Sequence, residues 1–280
     1  MKVVVTGANG NVGREVVAHC IELGDDVVGL SHAQLDIANR EMVLELLGGE
    51  QFDVLINCAA WTDVDGCELD PQRAHLVNAK AVENLALACR DRGAALVTIS
   101  TDFVFDGEKD GFYTEDDVPN PINEYGRAKV EGEHLTMAAW TQTTVVRAGW
   151  IFGPNGKNFI SKVDEKLLAG EAVTAIGDCF GTPTYAPDLA IRLRELAILD
   201  RPGVYHVANG GEGTSYAGFA RAVATEPSLV AVVEARSLHR PAARPTNTRL
   251  KSLFLKETGL APLRDWREAL RDHLARKAKI

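Results

Sequence analysis

The 280-residue chain predicts an α/β protein: a doubly wound parallel sheet with helices on both faces, joined to a smaller, discontinuous C-terminal lobe. Three observations predict it. Short β-branched runs alternate with segments of helical period as far as Arg147, the first run enters a glycine turn that opens a helix, and beyond Gly149 the rhythm breaks into glycine and proline punctuation.

Taken in order, Val3-Val4-Val5-Thr6 reads as the first strand, and an apolar-periodic helix follows from about Asn11 to Leu23, stopped by Gly24. Val27 to Leu30 is the second strand. Met42, Val43, Leu46 and Leu47 mark a helix after Asn39, and Asp53 to Asn57 is a third, buried strand. From Pro71 to Arg92 the apolar positions Ala74, Val77, Ala81, Leu85 and Ala88 keep helical spacing up to Gly93. Leu96 to Ile99 is the fourth strand, and it stops on Ser100, Thr101 and Asp102. Pro119, Asn120 and Pro121 forbid a helix where they stand, so Asn123 is the natural cap of one running from Glu124 to about residue 139. Thr143 to Arg147 is the next strand. Elements of this length require right-handed crossovers and a parallel sheet covered on both faces.

The expected division is residues 1–149 for nucleotide binding and residues 150–280 mainly for a substrate lobe. A helix around 187–199 and the strand-like Val204 to Val207 return to the sheet, a return spanning about residues 185–207. Helices at 215–225 and from about Asp265 lie outside it.

Composition bounds the function. Hydrophobic residues at 46% and charged residues at 25% are ordinary for a globular protein. No apolar run approaches the ~18 residues of a membrane span. Met1 leads directly into a strand without the succession of a secretory signal, so cytoplasm is the expected compartment. Five scattered cysteines without a C-x-x-C pair suit neither a disulfide framework nor structural zinc, and they read as small buried hydrophobes. His19, His75 and His134 have no metal-ligand spacing and read as surface residues. A net charge of −9 argues against a nucleic-acid binder. It leaves room for one anion pocket, and His239, Arg240, Arg244 and Arg249 make a local basic segment: either a handle for a nucleotide diphosphate, with Arg244 and Arg249 as its contacts, or a solvated loop.

Gly7, Gly10 and Gly13, spaced G-x-x-G-x-x-G directly after a strand, suit a tight turn, close approach to a pyrophosphate and close helix–strand packing. With Asn11 and Val12 between them, they form the expected cradle of a Rossmann-like dinucleotide site. Ser31 and His32 stand where a carboxylate would hold the ribose of NAD, which favours NADP(H) over NAD(H). Arg14 is placed either to meet a 2′-phosphate or simply to be solvated. Tyr125 and Lys129 share a helical face at i, i+4, where the ammonium would favour phenolate below the usual tyrosine pKa of ~10 and make Tyr125 a proton donor or acceptor near neutral pH. Thr101 and Asp102, at the sheet's carboxyl edge, are either site residues or turn caps.

Longer motifs add to this: T-G-A-N-G-N-V-G at 6–13, L-D-I at 35–37, N-C-A-A-W-T-D-V-D at 57–65, S-T-D-F-V-F-D-G at 100–107, P-I-N-E-Y-G-R-A-K-V-E-G-E at 121–133, R-A-G-W-I-F-G at 147–153 and D-C-F-G-T-P-T at 178–184. With R-P-T-N-T-R-L at 244–250 and D-W-R-E-A-L at 265–270, the chain resembles the extended short-chain dehydrogenase/reductases and, within them, the dTDP-4-dehydrorhamnose reductase family. The resemblance implies reduction of the 4-keto group of a dTDP-linked 6-deoxysugar with NADPH. Tyr125 would protonate the ketone oxygen, Lys129 hold the nicotinamide ribose and lower the tyrosine pKa, and Thr101 hydrogen-bond the carbonyl oxygen. Asp36 and Ile37 would flank the adenine, and Ala59, Ala60 and Thr62 lie along the cofactor. Asp102 and Trp150 match sugar-pocket positions, though Trp150 also reads as core.

Family members that bridge subunits with magnesium do so through glutamates, of which only Glu15 has a counterpart here; no metal is expected, and a homodimer is allowed. Arg147-Ala148-Gly149 departs from the bulkier threonine-serine pair usual before that tryptophan, which leaves the sugar open. Two rivals stand: a nucleotide-sugar epimerase or dehydratase that keeps NAD, and a regulatory subunit resembling the β subunit of methionine adenosyltransferase.

Overall fold

The structure, a computed structural model, describes residues 1–49, 51–199 and 201–278, the side chains of Leu255 and Lys256 excepted. Six strands form one parallel sheet in the order Gly203–His206, Thr143–Ala148, Ala95–Thr101, Val54–Asn57, Lys2–Thr6, Asp26–Leu30. The chain therefore starts in the interior of the sheet, steps outward to Asp26–Leu30, and then crosses to the other side of its first strand. That reversal is where open α/β sheets bind ligands at the carboxyl ends of their strands.

Alternation along the strands separates two cores. Val3, Val5, Val54 and Ile56 point to the face covered by the helices Asn11–Glu22 and Ala186–Leu199, while Val4, Leu55 and Leu96 point to the face covered by Arg40–Gly48 and Ala81–Arg92. All four residues of Val54–Asn57 and all six of Thr143–Ala148 are buried, as strands covered on both sides must be. Polar side chains inside the sheet pair with one another: Thr6 Oγ1 donates to Asn57 Oδ1 at 2.6 Å and Asn57 Nδ2 donates to Thr98 Oγ1 at 3.0 Å.

The expected single helix over Pro71–Arg92 is instead interrupted. A short helix Val64–Leu69 precedes it, Asp70 caps a new start at Pro71, and Leu76–Lys80 forms a π turn before Ala81–Arg92. The cause is side-chain bonding that periodicity does not encode. Buried Asn78 accepts from the Trp61 N–H and donates to the Trp61 carbonyl, both at 2.9 Å. Gly132, on the helix Glu124–Ala139, lets the Asn78 carbonyl approach so closely that a Cβ there would lie 2.3 Å from it. The widened turn fixes the loop that leaves the strand Val54–Asn57.

After Gly149 the chain builds small sheets: Ile151–Phe152 beside Thr184–Tyr185, Val173–Ile176 beside Val230–Val233, and Phe180–Gly181 between Thr214–Ser215 and Asn247–Thr248. The first two share a separate core around Phe152, Tyr185, Phe219 and Trp266. Cys20, Cys67, Cys89 and Cys179 are buried, Cys58 is half-buried, and all five are free. Of the histidines read as surface residues, His134 is exposed, His19 is half-buried, and half-buried His75 meets Glu131 at 2.6 Å. No helix among the described residues is long and apolar enough to cross a membrane.

Candidate active-site cleft

A cleft of about 750 Å³ runs along the carboxyl edge of the sheet, from the glycine turn at Gly10, Asn11 and Val12 past Tyr125 and Lys129 to Trp150, Tyr216 and Arg244. At its first end Gly7 has φ of +66°, a left-handed backbone that favours glycine, and a Cβ there would lie 2.7 Å from the Ala59 nitrogen. A Cβ on Gly13 would lie 2.2 Å from the Gly7 carbonyl oxygen, so only glycine lets the helix sit against the turn. Gly10 caps that helix without a side-chain acceptor, leaving the first backbone N–H groups for an anion. These are the features a bound pyrophosphate requires.

Ala59, Ala60 and Thr62 line the cleft beside the turn, on the loop that Asn78 clamps. Cys58 lines it too, and burial pushes its thiol up to about 12, so it is a neutral wall and not a nucleophile. Asp36 and Ile37 are not among the residues lining the cleft: Ile37 packs in the second core, and Asp36 Oδ1 accepts from the Ala38 N–H at 3.0 Å. At the end of the second strand Ser31 bonds Gln34, His32 is exposed, and Arg14 donates to the Asn9 carbonyl.

In the middle of the cleft, Asn123 caps the helix Glu124–Ala139 by accepting from the Gly126 N–H at 2.8 Å, and that helix presents Tyr125 and Lys129. Both are buried. Their ionisation runs opposite to the expectation from spacing. Burial pushes the Tyr125 phenol above its ordinary value, with the Thr101 hydroxyl offsetting only part of this, so tyrosine is held neutral. Lys129 does not depress it, because the ammonium donates to the Ile99 carbonyl at 2.7 Å, and burial lowers its own pKa to about 8 against the pull of Glu133. Glu133 is itself held by Arg147 at 2.7 Å and by Ser100, a buried polar layer under the site. Thr101 combines both of its readings: its Oγ1 accepts from the Phe103 N–H as a turn cap, donates to Asp102 Oδ1 at 3.1 Å, and faces the cleft.

The far end is built on strained backbone. Trp150 has φ of +50°, the one non-glycine residue with positive φ among those described. Its indole stacks on Tyr216 with ring centres 3.9 Å apart and donates to Thr248 Oγ1 at 3.3 Å. Asp102 is buried, its carboxyl raised to about 6 by burial against the Thr248 and Thr101 hydroxyls. Arg240, from the basic segment, lines this end together with Tyr216 and Phe159, to which the sequence reading gave no site role. The only signal of those two was aromatic character in segments that fold together from distant positions.

The basic segment divides. Arg240 and Arg244 line the cleft. Arg244 is held by Asp65, Nη1 to Oδ1 and Nη2 to Oδ2 both at 3.0 Å; although burial opposes it, the Ala242 N–H and this guanidinium keep the Asp65 carboxyl below its usual range. Arg249 is not among the residues lining the cleft. Its Nε–H donates to Asn247 Oδ1 at 2.9 Å and its guanidinium lies over Phe112 and Phe180. Glu15 meets Arg276 at 3.2 Å.

Comparison with known proteins gives a consistent result. The family model for the RmlD substrate binding domain matches residues 1–279. The chain is 40% identical to a dTDP-4-dehydrorhamnose reductase of Mycolicibacterium smegmatis, covering 98% of this chain and 85% of the relative. It is 37% identical to a probable dTDP-4,6-dihydroxy-2-methyloxan-3-one 4-ketoreductase of Streptomyces antibioticus, covering 97% and 94%. Among solved structures, the NADP complex of a dTDP-4-dehydrorhamnose reductase from Bacillus anthracis superposes with a TM-score of 0.93 at 30% identity, covering 98% of this chain and 99% of that one.

Proposed function

This chain belongs to the RmlD substrate binding domain family, and from that premise we propose that it is an NADPH-dependent reductase of the 4-keto group of a dTDP-linked 6-deoxysugar, of the dTDP-4-dehydrorhamnose to dTDP-L-rhamnose type. The observation that carries the reading is convergence: Thr101, Tyr125 and Lys129 meet on one cleft that also reaches a glycine turn shaped for a pyrophosphate.

In this reading Gly7, Gly10, Asn11, Val12 and Gly13 hold the pyrophosphate, Ala59, Ala60 and Thr62 lie along the dinucleotide, and Asp36 and Ile37 stand near its adenine. The reduced nicotinamide, when bound, supplies hydride to the ketone carbon. Tyr125 keeps its proton because burial disfavours the phenolate, so its Oη–H is the acid for the ketone oxygen. Lys129 spends one of its three N–H donors on Ile99; the others are free for a ribose hydroxyl and for the phenolate as it forms. Thr101 must turn its hydroxyl from Asp102 to the ketone oxygen. Asp102 and Trp150 frame the sugar, and Arg244 is the remaining charged contact of the original pair.

We assign residues 1–149, with a return at about 185–207, to cofactor binding and 150–280 mainly to the substrate. A cytoplasmic location, a homodimer and the lack of a nucleic-acid role belong to the same proposal, the last supported by the net charge of −9. NADPH consumption by the isolated chain with dTDP-4-keto-6-deoxyhexoses, before and after 3,5-epimerisation and with the product sugar identified, tests it. No turnover with any of them rejects the reading.

A further inference from the structure

At the sugar end of the cleft, two neighbouring strands bring a residue without a side chain against a buried carboxyl. A Cβ built on Gly149 would fall 2.2 Å from Asp102 Cγ, 2.4 Å from Oδ2 and 2.5 Å from Oδ1. The backbone at Gly149 has little freedom to retreat, because Thr184 grips it twice: its Oγ1–H donates to the Gly149 carbonyl at 2.7 Å and its N–H to the Trp150 carbonyl at 3.1 Å. On the other side Asp102 Oδ1 accepts from Thr101, while buried Oδ2 has no hydrogen-bond partner, Thr248 beside it notwithstanding. Gly149 and Asp102 both line the cleft. A buried acceptor left unpaired is destabilising unless something supplies a donor.

We infer that Gly149 is a positioning residue: by carrying no side chain it leaves room for the Asp102 carboxyl beside the cleft, from where the carboxyl turns to a hydroxyl of the bound sugar. The inference rests on the proposed reading for the identity of that ligand, and on geometry alone for the seat. A methyl group at position 149 displaces the carboxyl, since the pinned backbone cannot yield.

The test is a double-mutant cycle on the full chain. Gly149→Ala raises KM for the dTDP-4-keto sugar about tenfold, the worth of one hydrogen bond to a charged group, with the NADPH dissociation constant unchanged. Asp102→Ala gives a similar loss, and adding Gly149→Ala to it costs less than a further twofold, because the carboxyl that the methyl would displace is gone. Additive losses overturn the inference, as does an unchanged KM in Gly149→Ala. If Gly149→Ala fails to fold, recovery of folding in the double variant supports the seat and continued failure overturns it. A readout without substrate separates the seat from the functional reading: by carbon-13 carboxyl titration, Asp102 of the wild type titrates near 6, and Gly149→Ala moves it toward the ordinary aspartate range. An unmoved titration overturns the seat even if the enzyme reduces its sugar, and a wild type that reduces no such sugar leaves this titration to decide.

Discussion

Replacing Lys129 by methionine should make the ligand-free protein more stable while destroying its activity. The ammonium is buried, and its pKa falls from 10.5 to about 8. At ~1.36 kcal/mol per pKa unit, the charged form is disfavoured in the fold by about 3 kcal/mol at most. Methionine removes that penalty and also the hydrogen bond to Ile99, which contributes ~1 kcal/mol. The net expected gain at pH 7 is about 1–2 kcal/mol, or roughly 2–4 °C in Tm for a chain of this size. The sign with pH follows from linkage. Between pH 8 and pH 10.5 the unfolded chain binds the proton that the fold has released, so wild-type stability rises with pH across that window, while below pH 8 the penalty is fully present. Thermal unfolding of both proteins at pH 7 and pH 10 checks this: Lys129→Met leads at pH 7, and its lead shrinks or vanishes at pH 10. A variant that is less stable than wild type at pH 7, or a difference independent of pH, would refute the reasoning. The functional residue would then be a stabilising one, contrary to the trade-off expected of an active-site charge.

Tyr125→Phe removes the acid and keeps the ring, so turnover should fall by ~10²–10⁴ with NADPH affinity little changed; near-normal steady-state turnover would place the proton elsewhere. Wild type should use NADPH at least as well as NADH, and Ser31→Asp should shift preference toward NADH by repelling a 2′-phosphate, as kcat/KM for the two cofactors will show. Arg249→Ala should leave the sugar-nucleotide KM within about twofold, since its guanidinium is turned onto Phe112 and Phe180, whereas Arg244→Ala should raise it about tenfold or more with kcat largely kept, by a charge-assisted contact of ~1.5–3 kcal/mol. Equal effects of the two arginines in steady-state kinetics would contradict the structure.

The sheet was legible because its strands are continuous apolar runs and its punctuation is local: Asn123 capping Glu124–Ala139 could be placed to the residue. The π turn at Leu76–Lys80 was not, since it answers to Asn78 bonding a loop more than a dozen residues upstream. Within the site, Thr101, Tyr125 and Lys129 come from one stretch and were found together. The protonation of that pair was misread because spacing gives proximity but not burial, and burial dominates both groups. The substrate end was half legible. Asp102 and Trp150 stand at strand ends, whereas Tyr216 and Arg240 reach the cleft only through the small sheets. Charge in a cluster does not say where each group points: the Arg249 Nε–H donates to Asn247 while Arg244 and Arg240 line the cleft.

The strand Gly203–His206 has a consequence for how the protein is made. It covers the edge of Thr143–Ala148, with His206 opposite Arg147, yet it is synthesised long after the strand it covers. At about 5–20 residues per second on the ribosome, the interval lasts several seconds. During it the nascent chain already carries every nucleotide-binding motif, but one side of its sheet is an open ladder, and the face under Val3, Val5 and Val146 still lacks the helix Ala186–Leu199. Such an edge is a template for pairing with another chain. A polypeptide halted near residue 150 would thus leave that edge uncovered, since only Gly203–His206 pairs with it.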